Sequence, residues 1–249
     1  MLKIRSHDCA CWILCTPRTG STYLCDLLNS SNLFVPEFRE WFGQKLGIYN
    51  QPEDLERRPC FYNKVLHVQF NRIFNHHGRM IEDPIFDVCQ TENPTAENRI
   101  KLETILKPKY VVLKRDIFQI LVSYYVATLA SAGAGESFFV IRDHEKQKRF
   151  LQRPVVMDEK LLRRIYAVVK TYDEKWSLFL SGVDHLQVNY DLLSDNPREV
   201  VSNIFDFIGA EKRFLPDTFH MNEISRKAAM ARPDIEELSR WARSVIEHE

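Results

Sequence analysis

The chain has 249 residues, 45% of them apolar, and 34 Lys and Arg balance 34 Asp and Glu. Zero net charge excludes the global basic field of a nucleic-acid or anionic-membrane binder and leaves room only for a local basic pocket. Charged residues at 27% and aromatics at 12% describe a packed globule rather than a disordered chain.

The N-terminal stretch MLKIRSHDCACWILC has a basic start and a short apolar run. His7 and Asp8 interrupt it and no small-residue cleavage site follows, so it reads as a first strand, residues 10–16, and not as a signal peptide. Pro17-Arg18-Thr19-Gly20 breaks the strand. Tyr23, Leu24, Leu27 and Leu28 then recur at helical spacing. Residues 60–70 predict a second strand, 101–107 a helix ending before Pro108, and 109–114 a buried strand. Asp116 stands where the N-cap of a following apolar helix belongs. Residues 131–137, SAGAGES, predict a flexible loop, and Glu145 to Arg149 a solvated charge run. Residues 158–181 predict a long amphipathic helix, with Leu161, Leu162, Ile165, Val168, Val169, Tyr172, Trp176 and Leu180 on its apolar face. A strand over 185–190, a helix over 197–208 closed by Gly209 and a terminal helix over 233–248 complete the chain. Strands alternating with helices predict an α/β fold on a parallel sheet.

No stretch reaches the roughly 18–20 apolar residues of a transmembrane helix. The six cysteines (Cys9, Cys11, Cys15, Cys25, Cys60 and Cys89) lack paired metal-ligand spacing. They predict buried free thiols in a reducing cytoplasm and no metal site.

Chemistry concentrates in the first strand–loop–helix, Cys15-Thr16-Pro17-Arg18-Thr19-Gly20-Ser21-Thr22. A helix N-terminus offers unpaired amides and the positive end of a dipole, and Gly20 allows close backbone approach. Arg18 adds a planar cation, and Ser21 and Thr22 add hydroxyl donors. The Walker A pattern is not met: Cys15 stands at its first glycine and Ser21 at its lysine. Further on, Arg115 leaves a strand and Ser123 follows eight residues later, where a cation and a helix hydroxyl can converge on one phosphate.

The loop resembles the 5′-phosphosulfate loop of sulfotransferases that use 3′-phosphoadenosine 5′-phosphosulfate (PAPS). Arg18 followed by Thr-Gly-Ser-Thr-x-Leu is most similar to bacterial carbohydrate sulfotransferases of the trehalose-sulfotransferase type. Glu40-Trp41-Phe42 resembles the family's Glu-aromatic-Phe segment, displaced by two residues from Pro36. Lys64 to Phe70 resembles its Gly-Lys strand, with Asn63 in place of the glycine. Residues 109–123 resemble its 3′-phosphate motif, with Arg115 favoured and Lys114 the alternative. Val188 to Leu193 resembles a strand end of the family, and Arg226-Lys227-Ala228-Ala229 with Trp241 resembles its C-terminal motif loosely.

The resemblance implies a single domain over 1–249 with a P-loop-like three-layer fold, a central, mainly parallel sheet flanked by helices. It implies transfer of a sulfuryl group from PAPS to a hydroxyl of a carbohydrate or glycolipid, without a metal, releasing adenosine 3′,5′-bisphosphate. Arg18, Thr19, Gly20, Ser21 and Thr22 would hold the phosphosulfate, and Arg115 and Ser123 the 3′-phosphate. Arg18 would also serve catalysis. Glu40 is the implied base, with Glu37 and His67 as rivals. A cytoplasmic enzyme is expected, compatible with a homodimer and with no nucleic-acid partner. The competing readings are a P-loop-type nucleotide kinase or NTPase and a non-catalytic PAPS- or bisphosphate-binding protein. His76-His77 reads as a surface turn, and Phe205, Phe207 and Phe214 as core.

Overall fold

The computed structural model describes residues 9–31, 33, 60–66, 109–132, 134–139, 141, 143–219 and 231–248. Strand β1 (Cys9–Cys15) leads through a tight turn into helix α1 (Ser21–Asn29). Strands β2 (Cys60–Leu66) and β3 (Lys109–Lys114) follow, then α2 (Ile117–Ser131), α3 (His144–Gln152) and α4 (Glu159–Phe179). Strand β4 (His185–Asn189) runs directly into α5 (Tyr190–Asp195), α6 (Pro197–Ile208), a 3₁₀ turn (Lys212–Phe214) and α7 (Ile235–Glu247).

The four strands form one parallel sheet in the order β2-β1-β3-β4. This is the expected α/β architecture. Parallel strands need both faces covered, and β1 meets that need. Cys11, Ile13 and Cys15 join Val111, Leu113 and Val188 in a core shared with Leu24, Leu27 and Leu28 of α1 and Val201, Ile204 and Phe205 of α6. Trp12, Leu14, Tyr110 and Val112, the alternate residues of β1 and β3, are also buried, with Trp12 and Tyr110 edge to face at 6.0 Å. At roughly 1.5–3 kcal/mol for each large apolar side chain, these two layers dominate the stability of the sheet. Helices α2, α4 and α7 enclose a second core around Leu121, Tyr125, Phe138, Phe150, Leu162 and Leu238.

Local chemistry sets the helix ends. Asp116 accepts a hydrogen bond from the Gln119 amide at 2.9 Å, the expected cap of α2. Asn196 accepts from the Glu199 amide, Pro197 opens α6, and Gly209 closes it at φ 75°. Two elements differ from the sequence reading. The strand over 185–190 stops at Asn189, whose side chain accepts from the Asp191 amide at 2.7 Å and starts α5. The charge run 145–149 is solvated as expected, but it lies on a helix that the sequence reading did not contain, α3, capped by Asp143 and anchored by a fully buried Phe150. Val168, expected on the apolar face of α4, is 41% exposed.

Cys11, Cys15 and Cys25 are buried free thiols, and burial, with Cys25 nearby, pushes the Cys11 thiol far up. Among the described residues no cluster of potential metal ligands occurs, and no helix is long and apolar enough to cross a membrane.

Candidate functional site

The site lies at the carboxyl ends of three adjacent strands. Register places Cys15 beside Leu113 and Lys114 beside Asn189, so the residues leaving β1, β3 and β4 emerge at one edge of the sheet. On either side of β1 the chain departs to a different neighbour, which is where open parallel sheets form a crevice.

The β1–α1 turn is held in a demanding conformation. Arg18 has φ 71°, and among the described residues it is the one non-glycine with positive φ. A left-handed arginine costs roughly 1–2 kcal/mol, so neighbouring contacts must over-determine it. The Thr19 hydroxyl donates to the Thr16 carbonyl at 2.7 Å, and an Arg115 Nη donates to the Arg18 carbonyl at 2.9 Å. Gly20 follows at φ 90° and caps α1 without any side-chain hydrogen bond. No acidic residue occupies the first turn of α1, so the turn itself supplies no negative charge to offset the positive end of the helix dipole.

Two guanidinium groups meet here. Arg18 Nε donates to Ser123 Oγ at 2.9 Å, across 105 residues of sequence, and an Arg18 Nη donates to the Phe139 carbonyl. Arg115 Nε donates to the Gln119 side-chain oxygen at 2.9 Å, and its guanidinium lies over the Tyr190 ring, 4.0 Å from the centroid. Every one of these acceptors is neutral. Among the described residues neither guanidinium is ion-paired, whereas Lys114 turns to Asp173 of α4 at 2.5 Å. Burial first, and then the Arg115 charge, push the Arg18 guanidinium down to about 10, while Tyr190 acts upward. Burial also lowers Arg115, offset by Tyr190, Asp191 and Asp116. Two half-buried cations, one depressing the other and both hydrogen-bonded to neutral acceptors, make a pocket chemically suited to an anion, which would relieve these effects.

The structure brings together Arg18, Thr19, Gly20, Arg115 and Ser123. Ser21 and Thr22 open α1 beside them, with Ser21 buried and Thr22 partly buried. Ser123 is 2% exposed on α2, its hydroxyl aimed at Arg18. Glu40, its rivals Glu37 and His67, and Arg226 lie outside the described residues. Trp241, part of the loosely matching C-terminal motif, packs against the second core, its ring tilted on Tyr125 at 5.4 Å between centroids. Sequence reasoning missed the Phe139 carbonyl and the Tyr190 ring. A main-chain carbonyl carries no residue-type signal, and Tyr190 ends a stretch that alternates as a strand does.

The family model described as Sulfotransferase domain matches residues 8–229. A search of curated proteins returns no match. Among solved structures, the chain is similar to the sulfotransferase domain from the Synechococcus PCC 7002 olefin synthase. That likeness has 16% identity and a TM-score of 0.42, over 94% of this chain and 93% of that one.

Proposed function

Since the chain belongs to the sulfotransferase domain family, whose chemistry is sulfuryl transfer, we propose that PAPS is the donor and that the acceptor is a hydroxyl of a carbohydrate or glycolipid head group. The observation that supports the donor is the pair Arg18 and Arg115, two partly buried cations on neutral partners beside the N-terminus of α1. In this reading Arg18 and the amides following Gly20 hold the 5′-phosphosulfate, assisted by Thr19, Ser21 and Thr22. Arg115 and Ser123 hold the 3′-phosphate. Lys114 is less suited to that role because Asp173 neutralises it. The carbohydrate acceptor rests on the likeness of Arg18-Thr19-Gly20-Ser21-Thr22 and Glu40-Trp41-Phe42 to the trehalose-sulfotransferase type. The same reading treats the whole chain as one domain working in the cytoplasm.

The acceptor oxygen attacks sulfur in line, and the bond from sulfur to the bridging phosphate oxygen breaks. Its electron pair leaves on the phosphate. Arg18 and the α1 amides stabilise that developing charge, as positioned donors do in phosphoryl transfer. The acceptor proton passes to a base, for which Glu40 is proposed.

Thermal unfolding with adenosine 3′,5′-bisphosphate and, separately, with ATP and Mg²⁺ tests the donor. At about 100 times Kd the bisphosphate adds roughly 2.7 kcal/mol of stability. Equal stabilisation by ATP with Mg²⁺ refutes the PAPS reading in favour of a nucleoside-triphosphate enzyme. Transfer of radiolabelled sulfate from PAPS to a panel of sugars then separates an enzyme from a bisphosphate-binding protein.

A further inference from the structure

Tyr190 touches both halves of this site without belonging to either. It is the first residue of α5, follows directly on the β4 residue paired with Lys114, and is 8% exposed. Its ring face carries the Arg115 guanidinium at 4.0 Å. Its edge rests on Gly20: a Cβ built there would lie 2.4 Å from both Cδ2 and Cε2. Arg115 in turn donates to the Arg18 carbonyl at 2.9 Å. Ring, Gly20, Arg18 carbonyl and Arg115 thus form a closed circuit of contacts.

We infer that Tyr190 is a positioning residue: its ring pins Arg115 against the turn over residues 16–20 and so sets the spacing between the two anion-binding cations. The inference rests on the donor reading above, in which those cations take the 3′-phosphate and the 5′-phosphosulfate. An aromatic face suits this task for a definite reason. A carboxylate would orient the guanidinium equally well but would neutralise it, as Asp173 neutralises Lys114. A π face attracts the cation, leaves its charge available, and leaves its outward N–H groups free for a phosphate. Gly20 completes the device, because any other residue there would push the ring away.

The test measures calorimetric affinities of the full chain for adenosine 3′,5′-bisphosphate and adenosine 5′-monophosphate. Their ratio isolates the 3′-phosphate. The wild type is expected to prefer the bisphosphate by at least about tenfold, as a charge-assisted contact requires. Tyr190→Phe keeps the ring face and holds that preference within about threefold. Tyr190→Leu removes the face and loses about tenfold of the preference, beyond any common loss of affinity for both ligands. Should Tyr190→Leu not fold, Tyr190→Met fills the same space without a π face and carries the test. A wild type without preference overturns the donor reading, and the inference with it. A wild-type preference that survives in Tyr190→Leu or Tyr190→Met overturns the inference alone. Loss in Tyr190→Phe equal to that in Tyr190→Leu also overturns it, since the hydroxyl and not the ring face would then matter.

Discussion

Gly20→Ala is the sharpest probe of the turn, because two independent penalties can be worked from its geometry. The backbone stands at φ 90°, a region that costs an alanine roughly 1–2 kcal/mol. The added Cβ would lie 2.4 Å from two ring atoms of Tyr190, where carbon contacts are normally about 3.5–4.0 Å. The ring has to retreat by more than about an ångström, and the Arg115 guanidinium stacked on it resists, at an overpacking cost of roughly 1–3 kcal/mol. Together the substitution should destabilise the protein by about 2–5 kcal/mol. For a domain of this size that is a fall in Tm of roughly 4–20 °C. Urea unfolding, monitored by fluorescence and read at the midpoint, measures it. Repeating the substitution in a Tyr190→Ala background removes the overlap and leaves only the backbone part, about 1–2 kcal/mol. A Gly20→Ala cost below about 1 kcal/mol, or the same cost in both backgrounds, refutes the argued contact between turn and ring.

Arg18→Ala should lower sulfuryl transfer at least about a hundredfold with little change in fold, since each charge-assisted hydrogen bond it removes is worth roughly 1.5–3 kcal/mol. Ser123→Ala removes one hydroxyl and should weaken bisphosphate binding more than it slows turnover at saturation; paired titrations and initial rates check both. Glu40→Gln should remove most turnover, by about 10²–10⁴-fold, and the acidic limb of the pH–rate profile. Bisphosphate affinity should stay within about threefold, since a base contacts acceptor and not donor; activity retained in Glu40→Gln but abolished in Glu37→Gln or His67→Ala reassigns the base. Asp234 is held below its ordinary 3.8 by the hydrogen bonds of Arg232, itself 4% exposed and bonded also to the Phe150 and Arg153 carbonyls. A carboxylate depressed in the folded state stabilises above its unfolded value and loses that contribution as pH falls through the folded one. Asp234→Asn should therefore cost stability at neutral pH, with the difference from wild type shrinking below pH 3.8, as urea midpoints across pH will show.

Where the sequence carries punctuation, the fold is legible to the residue. Lys109–Lys114 forms the expected strand because a short apolar run sits between a proline and a charged strand end. Pro197–Ile208 forms the expected helix because Asn196, Pro197 and Gly209 supply a cap, a start and a stop. Legibility fails where one pattern serves two structures. HLQVNY alternates like a strand to its last residue, yet the Asn189 side chain captures the Asp191 amide and turns the chain into a helix. Likewise a run of charges hides α3, whose single buried anchor, Phe150, follows the run rather than repeating within it.

The site divides along the same line. Gly20 and the βα turn point to the proposed anion-binding loop from local sequence alone. The Arg18–Ser123 bond spans 105 residues, and no periodicity in either segment points to the other; only the resemblance to a family joins them. The left-handed Arg18 is invisible because arginine has no preference for positive φ. Its conformation is imposed from outside, by Arg115 holding its carbonyl and by a glycine that lets a tyrosine ring close in. The proposed anion site has a problem that a salt bridge does not: it must hold cations in place without neutralising them. Here the acceptors are a serine hydroxyl, a glutamine side-chain oxygen, two main-chain carbonyls and an aromatic face, all of which orient a guanidinium and leave its charge intact. The contrast with Lys114 and Asp173, one residue away on the same strand end, sets the cation proposed for a ligand apart from one that ties β3 to α4.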